Sequence, residues 1–390
     1  MKQSILIGNS NFSSIRENNY FYVDKTNFIK EWWENAHIDT LLMRPPNFGK
    51  TLNLSMIDSF FSCKYANRSD LFEGLSIWKY EKYRELQGSY PVIYLSFEDV
   101  KANTFSDAKK YIMQKSIEVC NSFRFIAESK DFNYFSDCEF SDINATHLLN
   151  KLSFHLYHYY GKKVIILLDD FDAPIREAYW HGYWYEMVYF MSSLFLSTFK
   201  VNEYLECSLI TGSTGRGFGS PLCDVNHLSI ITTSSKMYAN YFGFTEDEVF
   251  KALDTWSLLN RKEEVKEWYG GFTFGECNDS IYNPLSVVNF LNSGELKIYR
   301  IDPTLDHLVG KLLREIYYKD EINSLLEKEI ISTELDEEII FNPNESSLWS
   351  FLFAFGYLSM IDSYYKEDWT EIYRLKIPNQ ETLLLLKSML

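Results

Sequence analysis

The chain has 390 residues, of which 46% are hydrophobic and 24% are charged, and its formal net charge at pH 7 is −16. This composition is typical of a globular protein with ample material for a core, and the length predicts two or three domains. The net charge opposes direct binding to nucleic-acid phosphates, and the absence of any apolar run near the required length of about 18 residues argues against a membrane span.

The first predicted elements are a helix at 27–34 and an apolar strand near 38–43, which leads through a turn into a second helix. That helix opens with Gly49, Lys50 and Thr51. A strand, a loop and a helix N-terminus in this order form the layout of a phosphate-binding loop. We expect Gly49 to let the backbone approach the phosphates, Lys50 to contact the terminal phosphate oxygens and Thr51 to bind Mg²⁺.

The loop departs from the common pattern Gly-x-x-x-x-Gly-Lys-Ser/Thr. Arg44 stands at the position of the first glycine, and Pro45 and Pro46 lack N–H groups that could donate to an anion. An ordinary strand-turn-helix corner with a surface lysine therefore stays open as the alternative interpretation.

Further strands are predicted near 91–96 and 163–169, and the second of these ends in Asp169, Asp170 and Asp172. Its wholly apolar run is typical of a strand covered on both faces, as in a parallel sheet. Carboxylates at its C-terminal end would lie where open α/β sheets bind ligands. We assign Asp169 to Mg²⁺ and Asp170 to the attacking water, and we favour a helix cap for Asp172. Solvated acids at a strand end are the alternative for the first two.

A fourth strand near 205–211 ends in Thr211, whose hydroxyl is our candidate for sensing the γ-phosphate. Arg216 follows in a glycine-rich segment and could reach a phosphate of its own or of a neighbouring subunit. Because glycine-rich segments are more often simple loops, that alternative also stays open for Arg216.

Alternating strands and helices predict an α/β fold with a parallel sheet and helices on both faces, and the polar stretch 129–146 is interpreted as a mobile insertion. From residue 245 the pattern becomes helical and predicts a helical lid. A mainly helical C-terminal domain with a possible winged-helix-like ending follows. The predicted domains are 1–244, 245–299 and 300–390. The helices predicted after residue 245 are 246–253, 261–268, 284–291, 305–316, 318–328 and 346–355. The predicted hairpin strands are 357–362 and 371–376.

Several motifs together resemble one family. The chain resembles the AAA-ATPase-like proteins, a P-loop NTPase family that in many bacteria carries a C-terminal nuclease-like domain of the PD-(D/E)XK type. The resemblance covers nearly the whole chain. The segments that carry it are Tyr20-Phe21-Tyr22-Val23-Asp24-Lys25-Thr26, Arg44-Pro45, Phe48-Gly49-Lys50-Thr51-Leu52-Asn53, Leu167-Leu168-Asp169-Asp170-Phe171-Asp172-Ala173-Pro174-Ile175, Tyr241-Phe242-Gly243-Phe244-Thr245-Glu246 and Ile281-Tyr282-Asn283-Pro284.

The resemblance implies ATP and Mg²⁺ as ligands, and it places the Walker A and Walker B motifs on the loop and on the strand that ends in Asp169. It extends the nucleotide-binding loop to the set Arg44, Asn47, Phe48, Gly49, Lys50, Thr51 and Leu52.

The chain departs from the family at three places. Pro46 and Asn47 stand where the family usually has basic residues, Asp170 replaces a glutamate, and Arg216 matches the family's arginine only approximately. An aspartate is one methylene shorter than a glutamate, and a misplacement of about 1 Å can lower a rate about 100-fold. These changes suggest a slow or degenerate ATPase.

We therefore expect a cytoplasmic ATP-binding protein that hydrolyses ATP slowly. We expect it to couple its nucleotide state to the lid and to an unknown protein partner or a second copy. The six cysteines lack Cys-x-x-Cys spacing and suit reduced thiols in that compartment. One alternative is a non-hydrolysing nucleotide-binding interaction module. Another is the ATPase half of a nucleic-acid-processing or defence system with a separate nuclease, because no nuclease metal site follows before Leu390.

Overall fold

The computed structural model describes residues 3–35, 37–123, 125, 146–215, 220–275, 279–315, 319–327, 330–336 and 345–390. The predicted insertion at 129–146, except for Thr146, and the candidate Arg216 lie outside the described residues. By its internal contacts the chain divides into two compact units. The sheet unit consists of Thr26–Leu42 and Thr51–Ile230, and the C-terminal unit consists of Met1–Lys25, Met43–Lys50 and Ile231–Leu390.

The strands and α-helices are numbered in chain order. The strands are β1 (Asp39–Met43), β2 (Val92–Ser96), β3 (Val164–Asp169), β4 (Leu205–Gly212), β5 (Leu228–Ile231), β6 (Phe244–Thr245), β7 (Ile281–Tyr282), β8 (Ile331–Thr333), β9 (Ser359–Tyr365) and β10 (Glu371–Lys376). The helices are α1 (Phe12–Glu17), α2 (Asn27–Glu34), α3 (Lys50–Phe61), α4 (Glu81–Arg84), α5 (Phe105–Asn121), α6 (Leu148–Tyr160), α7 (Ala173–His181), α8 (Trp184–Phe195), α9 (Glu246–Thr255), α10 (Lys262–Tyr269), α11 (Pro284–Ser293), α12 (Pro303–Glu315), α13 (Lys319–Leu326), α14 (Glu345–Ala354) and α15 (Gln380–Met389).

The sheet unit is built on a five-stranded sheet with the order β2-β3-β4-β1-β5. The pairs β2–β3 and β3–β4 are parallel, with Ser96 opposite Asp169 at the end of the first pair. All six residues of β3 are buried, as a strand covered on both faces requires. The four longer predicted strands are confirmed within one or two residues. The short β5 was not predicted, because its four residues carry little periodicity.

Helix α8 buries only one of its faces. Tyr185 and Tyr189 are 80% and 79% exposed. Met187, Met191 and Leu194 on the other side are buried. The two tyrosines are four residues apart and therefore share one helix face, so α8 is amphipathic in spite of its apolar composition. It ends in a π-helical turn, Leu196–Lys200.

In the C-terminal unit, α9, α10 and α11 pack around one core with Val249, Leu253, Val265 and Phe290. The predicted helices of this segment are confirmed. Thr245 and Glu248 form a capping box at the start of α9. Asn283 caps α11, whose first residue is Pro284, a position where a missing N–H costs no helical hydrogen bond. The role of this segment as a lid stays a prediction.

A buried ion pair ties the N-terminal segment to α9. The ammonium of Lys25 lies 2.6 Å from the carboxylate of Glu248 and donates to the carbonyl of Asn240 at 2.7 Å. Burial lowers the pKa of Lys25, while Glu248 acts in the opposite direction. Removing Glu248 would leave the Lys25 ammonium buried without its counter-ion, so this pair fixes the arrangement of the two segments.

The last part of the C-terminal unit contains α12 to α15 and a three-stranded sheet with the order β8-β10-β9. The predicted hairpin is confirmed: β9 and β10 are antiparallel and adjacent. Helix α15 was not predicted, although Asn379 caps it and a leucine run fills its buried face. Among the residues that the structure describes, no helix is both long and apolar enough to cross a bilayer.

Candidate functional site

Two residues of the loop between β1 and α3 have left-handed backbone angles. Asn47 and Gly49 have φ angles of 67° and 85°, in the left-handed region. Glycine enters this region without steric cost and asparagine tolerates it, which accounts for both residue types. No atom lies within 4 Å of a Cβ added at Gly49, so the backbone angle rather than lack of space requires glycine there.

Phe48, between these two residues, anchors the loop in the core of the C-terminal unit. Its side chain is completely buried. The ring makes edge-to-face contacts with Phe272 and Phe274, with centroids 4.9 and 5.3 Å away. Its carbonyl accepts a hydrogen bond from Gly243 N at 2.9 Å. The loop therefore depends on residues nearly 200 positions later in the chain.

Arg44 is held by contacts within the C-terminal unit. Its side chain is completely buried and donates to the carbonyl oxygens of Met43, Met237 and Thr232, the first two at 2.9 and 2.8 Å. The guanidinium also lies 4.7 Å from the ring centroid of Phe274. These contacts favour a structural role for Arg44 in holding the start of the loop, and the assignment to nucleotide binding stays a prediction.

Lys50 lies across its own loop. Its ammonium donates to the carbonyls of Arg44 and Pro45, at 2.9 and 3.1 Å, and the side chain is buried. The Lys50 ammonium thus satisfies the carbonyl groups at the start of the loop. The two prolines of the loop offer no N–H group to an anion. A buried ammonium held at a helix N-terminus is well suited to exchange a carbonyl oxygen for a phosphate oxygen.

In the sheet unit, the predicted polar residues of β3 and β4 meet. Asp169, the last residue of β3, and Thr211 of β4 are both completely buried. The Thr211 hydroxyl donates to Asp169 Oδ1 at 2.6 Å. Backbone bonds from Phe97 N to the Asp169 carbonyl and from Phe171 N to the Thr211 carbonyl, both 3.0 Å, fix the strand ends. The carboxylate is therefore held in one orientation at the C-terminal edge of the sheet.

Asp170 leaves the strand with a φ of 48°, a left-handed conformation that aspartate adopts more readily than most residues. Its side chain is partly exposed. A residue in this region at a strand end is often part of a functional site. The chain thus turns sharply between a buried carboxylate and a solvent-accessible one.

The predicted capping role of Asp172 is wrong in its detail. The residue occupies the N-cap position of α7, but its side chain makes no capping hydrogen bond. Pro174 supplies no N–H in the first turn, so there is less to cap. Asp172 instead accepts from Ser213 N at 3.2 Å and pairs with Arg176 at 3.0 Å, and it thereby links α7 to the end of β4.

A family model described as predicted AAA-ATPase matches residues 6–215, which is more than half of the chain. This chain belongs to the AAA-ATPase-like family. It is also similar to an uncharacterized protein in the vnfD 5' region of Azotobacter chroococcum, with 23% identity over 385 residues, 97% of this chain and 68% of that protein. The family supports an ATPase-like, nucleotide-binding character in general.

The sequence analysis did not identify two residues near the end of β3 in the sheet unit of this AAA-ATPase-like protein. Tyr94 of β2 is mostly buried, and burial, followed by the carboxylates of Asp169, Asp58 and Asp170, raises its pKa. Asp58 of α3 is itself largely enclosed, and burial raises its pKa to about 6. With Glu98 as the last contributor, four carboxylates therefore act on one phenol. Asp58 could have been noticed as an acid among the apolar residues Met56, Ile57 and Phe60.

The predicted Mg²⁺ ligands are Thr51 and Asp169. Thr51 lies in the first turn of α3 and is partly exposed, as is Leu52. Within the described ranges no group of three or more His, Cys, Asp or Glu side chains could hold a metal ion. A hydroxyl and a single carboxylate do not form such a group. They still suit Mg²⁺, which prefers oxygen ligands and keeps several waters.

Proposed function

We propose that this chain binds ATP with Mg²⁺ and hydrolyses it slowly. The observation that carries the proposal is the buried Asp169 carboxylate, held by Thr211 at the C-terminal edge of the sheet. Strand β4, which bears Thr211, lies between β3 and β1, and β1 leads into the N-terminus of α3. Ligands of open parallel sheets bind at this edge.

The residues present fit Mg²⁺. The Thr51 hydroxyl and the Asp169 carboxylate are hard oxygen donors, and both belong to the sheet unit. When bound, Mg²⁺ would neutralise charge on the β- and γ-phosphates. The hydrogen bond from Thr211 holds the Asp169 carboxylate in one orientation.

The phosphates would bind at the N-terminus of α3. Its first N–H groups, including those of Thr51 and Leu52, have no acceptor within the helix and point toward an incoming anion. Lys50 would transfer its ammonium from the loop carbonyls to a phosphate oxygen. In this proposal Asn47 and Phe48 contribute by fixing the loop backbone, and Arg44 by holding its start.

Asp170 would orient the attacking water and accept its proton. The aspartate side chain is one methylene shorter than that of a glutamate. The distance from its carboxylate to a water near the γ-phosphate is therefore longer, and this is the physical reason for expecting slow turnover.

The test is ATP binding and phosphate release by the full chain with Mg²⁺, for wild type and Lys50→Ala. The matched control is Lys110→Ala, because the Lys110 side chain is 75% exposed on α5 and lies far along the chain from the loop. We expect binding in wild type and in the control, and at least a tenfold weaker binding in Lys50→Ala. Absence of nucleotide binding by wild type would refute the proposal.

A non-hydrolysing nucleotide-binding module is the second candidate, and the Asp170 side chain is the observation that favours it. Asp170→Glu distinguishes the two. If wild type binds ATP without releasing phosphate and Asp170→Glu releases it, the module is the correct description. If wild type already turns over and Asp170→Ala does not, aspartate acts in place of glutamate. In both the slow ATPase and the non-hydrolysing module, the nucleotide state would be coupled to the 245–299 lid and to a protein partner.

A further inference from the structure

The tip of the β9–β10 hairpin carries an aromatic cluster that folding does not require. Trp369 is 82% exposed, and Tyr365 and Tyr364 beside it are 61% and 46% exposed. The turn is closed by hydrogen bonds from Trp369 N to the Lys366 carbonyl and from Lys366 N to the Thr370 carbonyl. Trp369 has a φ of 65°, at a turn position that normally takes glycine or asparagine. A bulky side chain there adds strain and gains no burial.

The charges at this tip indicate the kind of surface that it fits. Glu367 and Asp368 precede Trp369 and are exposed, with Lys366 as the neighbouring cation. Two carboxylates beside the aromatic side chain oppose contact with nucleic-acid phosphates. Tryptophan and tyrosine are the side chains most often used as anchors in protein interfaces. The tip therefore fits an apolar cavity with a basic rim on a protein.

The same C-terminal unit contains such a cavity, formed mainly by α12 and α15 and with a volume of about 360 Å³. Its apolar lining is Ile298, Ile301, Leu385 and Met389. Gly310 lines it without a side chain. Ile301 is 60% exposed, whereas Leu385 and Met389 are 5% and 8% exposed, so Ile301 is the apolar lining residue most open to a partner. We call this cavity the α12–α15 groove.

The charged and titratable side chains that line the α12–α15 groove are Asp306, His307 and Arg314, and two lysines lie next to lining residues on α12 and α15. His307, Lys311 and Arg314 follow one another at helical spacing on the exposed side of α12. Lys387 is exposed in the last turn of α15. The acid among the lining residues, Asp306, accepts a hydrogen bond from the Tyr357 hydroxyl at 2.6 Å. Arg314 donates to the Met389 carbonyl at 2.6 Å and remains exposed at the rim.

We propose that the hairpin tip of one copy of this chain inserts Trp369 into the α12–α15 groove of a second copy. The indole would cover the apolar lining, and Glu367 and Asp368 would face the basic side of α12. The contact joins two different surfaces, so each copy in a pair still offers one tip and one groove, and larger rings or open chains can form. This inference does not depend on nucleotide binding.

Sedimentation velocity of the full chain, over a concentration series up to about 100 µM, tests the proposal. Two variants each remove one half of the contact. Trp369→Gly removes the anchor and places at φ 65° the residue that this position favours, so folding is retained. Ile301→Glu puts a carboxylate at an exposed position in the groove, opposite Glu367 and Asp368. We expect self-association by wild type and about a tenfold or greater loss in each variant.

Mixing the two variants gives the most specific result. Trp369→Gly keeps an intact groove and Ile301→Glu keeps an intact tip, so one productive contact per pair remains. We expect a heterodimer and no larger species in the mixture, although each variant alone is monomeric. Tyr185→Ala, which removes an aromatic side chain of similar exposure on α8, is the control and should associate like wild type.

Three results would overturn the proposal. These are monomeric wild type over the whole series, unchanged association in both variants, and failure of the mixture to form heterodimers. Binding of a fluorescently labelled mixed-sequence single-stranded oligonucleotide that is lost in Trp369→Gly, with monomeric wild type, would instead assign the tip to base stacking.

Discussion

Asp58 makes the sheet unit less stable at neutral pH than its packing would allow. Burial raises the pKa of its carboxyl from the ordinary 3.8 to about 6. Because this pKa is raised in the folded state, ionisation opposes folding. The cost is absent below pH 3.8, grows as pH rises, and is complete above pH 6. The difference of about two pKa units corresponds to about 3 kcal/mol.

Asp58→Asn removes this ionisation cost. The buried amide that replaces the carboxyl destabilises the folded state by about 1 kcal/mol, because its hydrogen bonding is imperfect. We therefore expect the variant to be about 2 kcal/mol more stable than wild type at pH 7.5. Near pH 5 the ionisation cost in wild type has fallen to about half, so the advantage should shrink to a few tenths of a kcal/mol.

Urea unfolding followed by tryptophan fluorescence at the two pH values measures both quantities. The control is Asp99→Asn, because the Asp99 side chain is 84% exposed and should change stability by less than about 0.5 kcal/mol. Equal or lower stability of Asp58→Asn at pH 7.5, or an advantage that does not depend on pH, would show that burial does not raise the pKa of this carboxyl.

Two further changes test the strand ends. Thr211→Val removes the 2.6 Å hydrogen bond to Asp169 at nearly constant side-chain volume. We expect the free energy of unfolding to fall by about 1–2 kcal/mol. We also expect nucleotide binding to require a several-fold higher Mg²⁺ concentration. Thr198→Val, at another buried threonine, should leave the Mg²⁺ requirement unchanged. Gly212→Ala would place a methyl group 2.6 Å from the Phe171 ring and 2.9 Å from Asp172 Oδ1, and thermal unfolding should show a loss of about 1–3 kcal/mol. A variant as stable as wild type would show that Phe171 can move aside.

The sequence predicts those parts of the site that depend on local pattern. The apolar run of β3 and the corner from β1 to α3 mark buried strands and a helix start, and parallel pairing brings Asp169 and Thr211 together. Helix and strand bounds follow from periodicity for the same reason.

The parts that were missed depend on contacts between distant segments. Arg44 is buried by carbonyls about 190 residues away, Gly212 is required by the ring of Phe171, and the pKa of Asp58 is set by its enclosure. None of these leaves a repeating signal in the local sequence. Asp172 shows the opposite error, since a typical cap position is used for a tertiary contact.

The anchoring of Phe48 and Arg44 has a practical consequence for anyone who works with a shortened chain. The family model ends at residue 215, but Phe272, Phe274, Gly243 and Met237, which hold these two side chains, all come later. A fragment cut at the end of the matched region would expose an aromatic ring and a guanidinium that are completely buried in the full chain. The stretch that sequence comparison recognises is therefore shorter than the stretch that must be synthesised before the loop can take its shape.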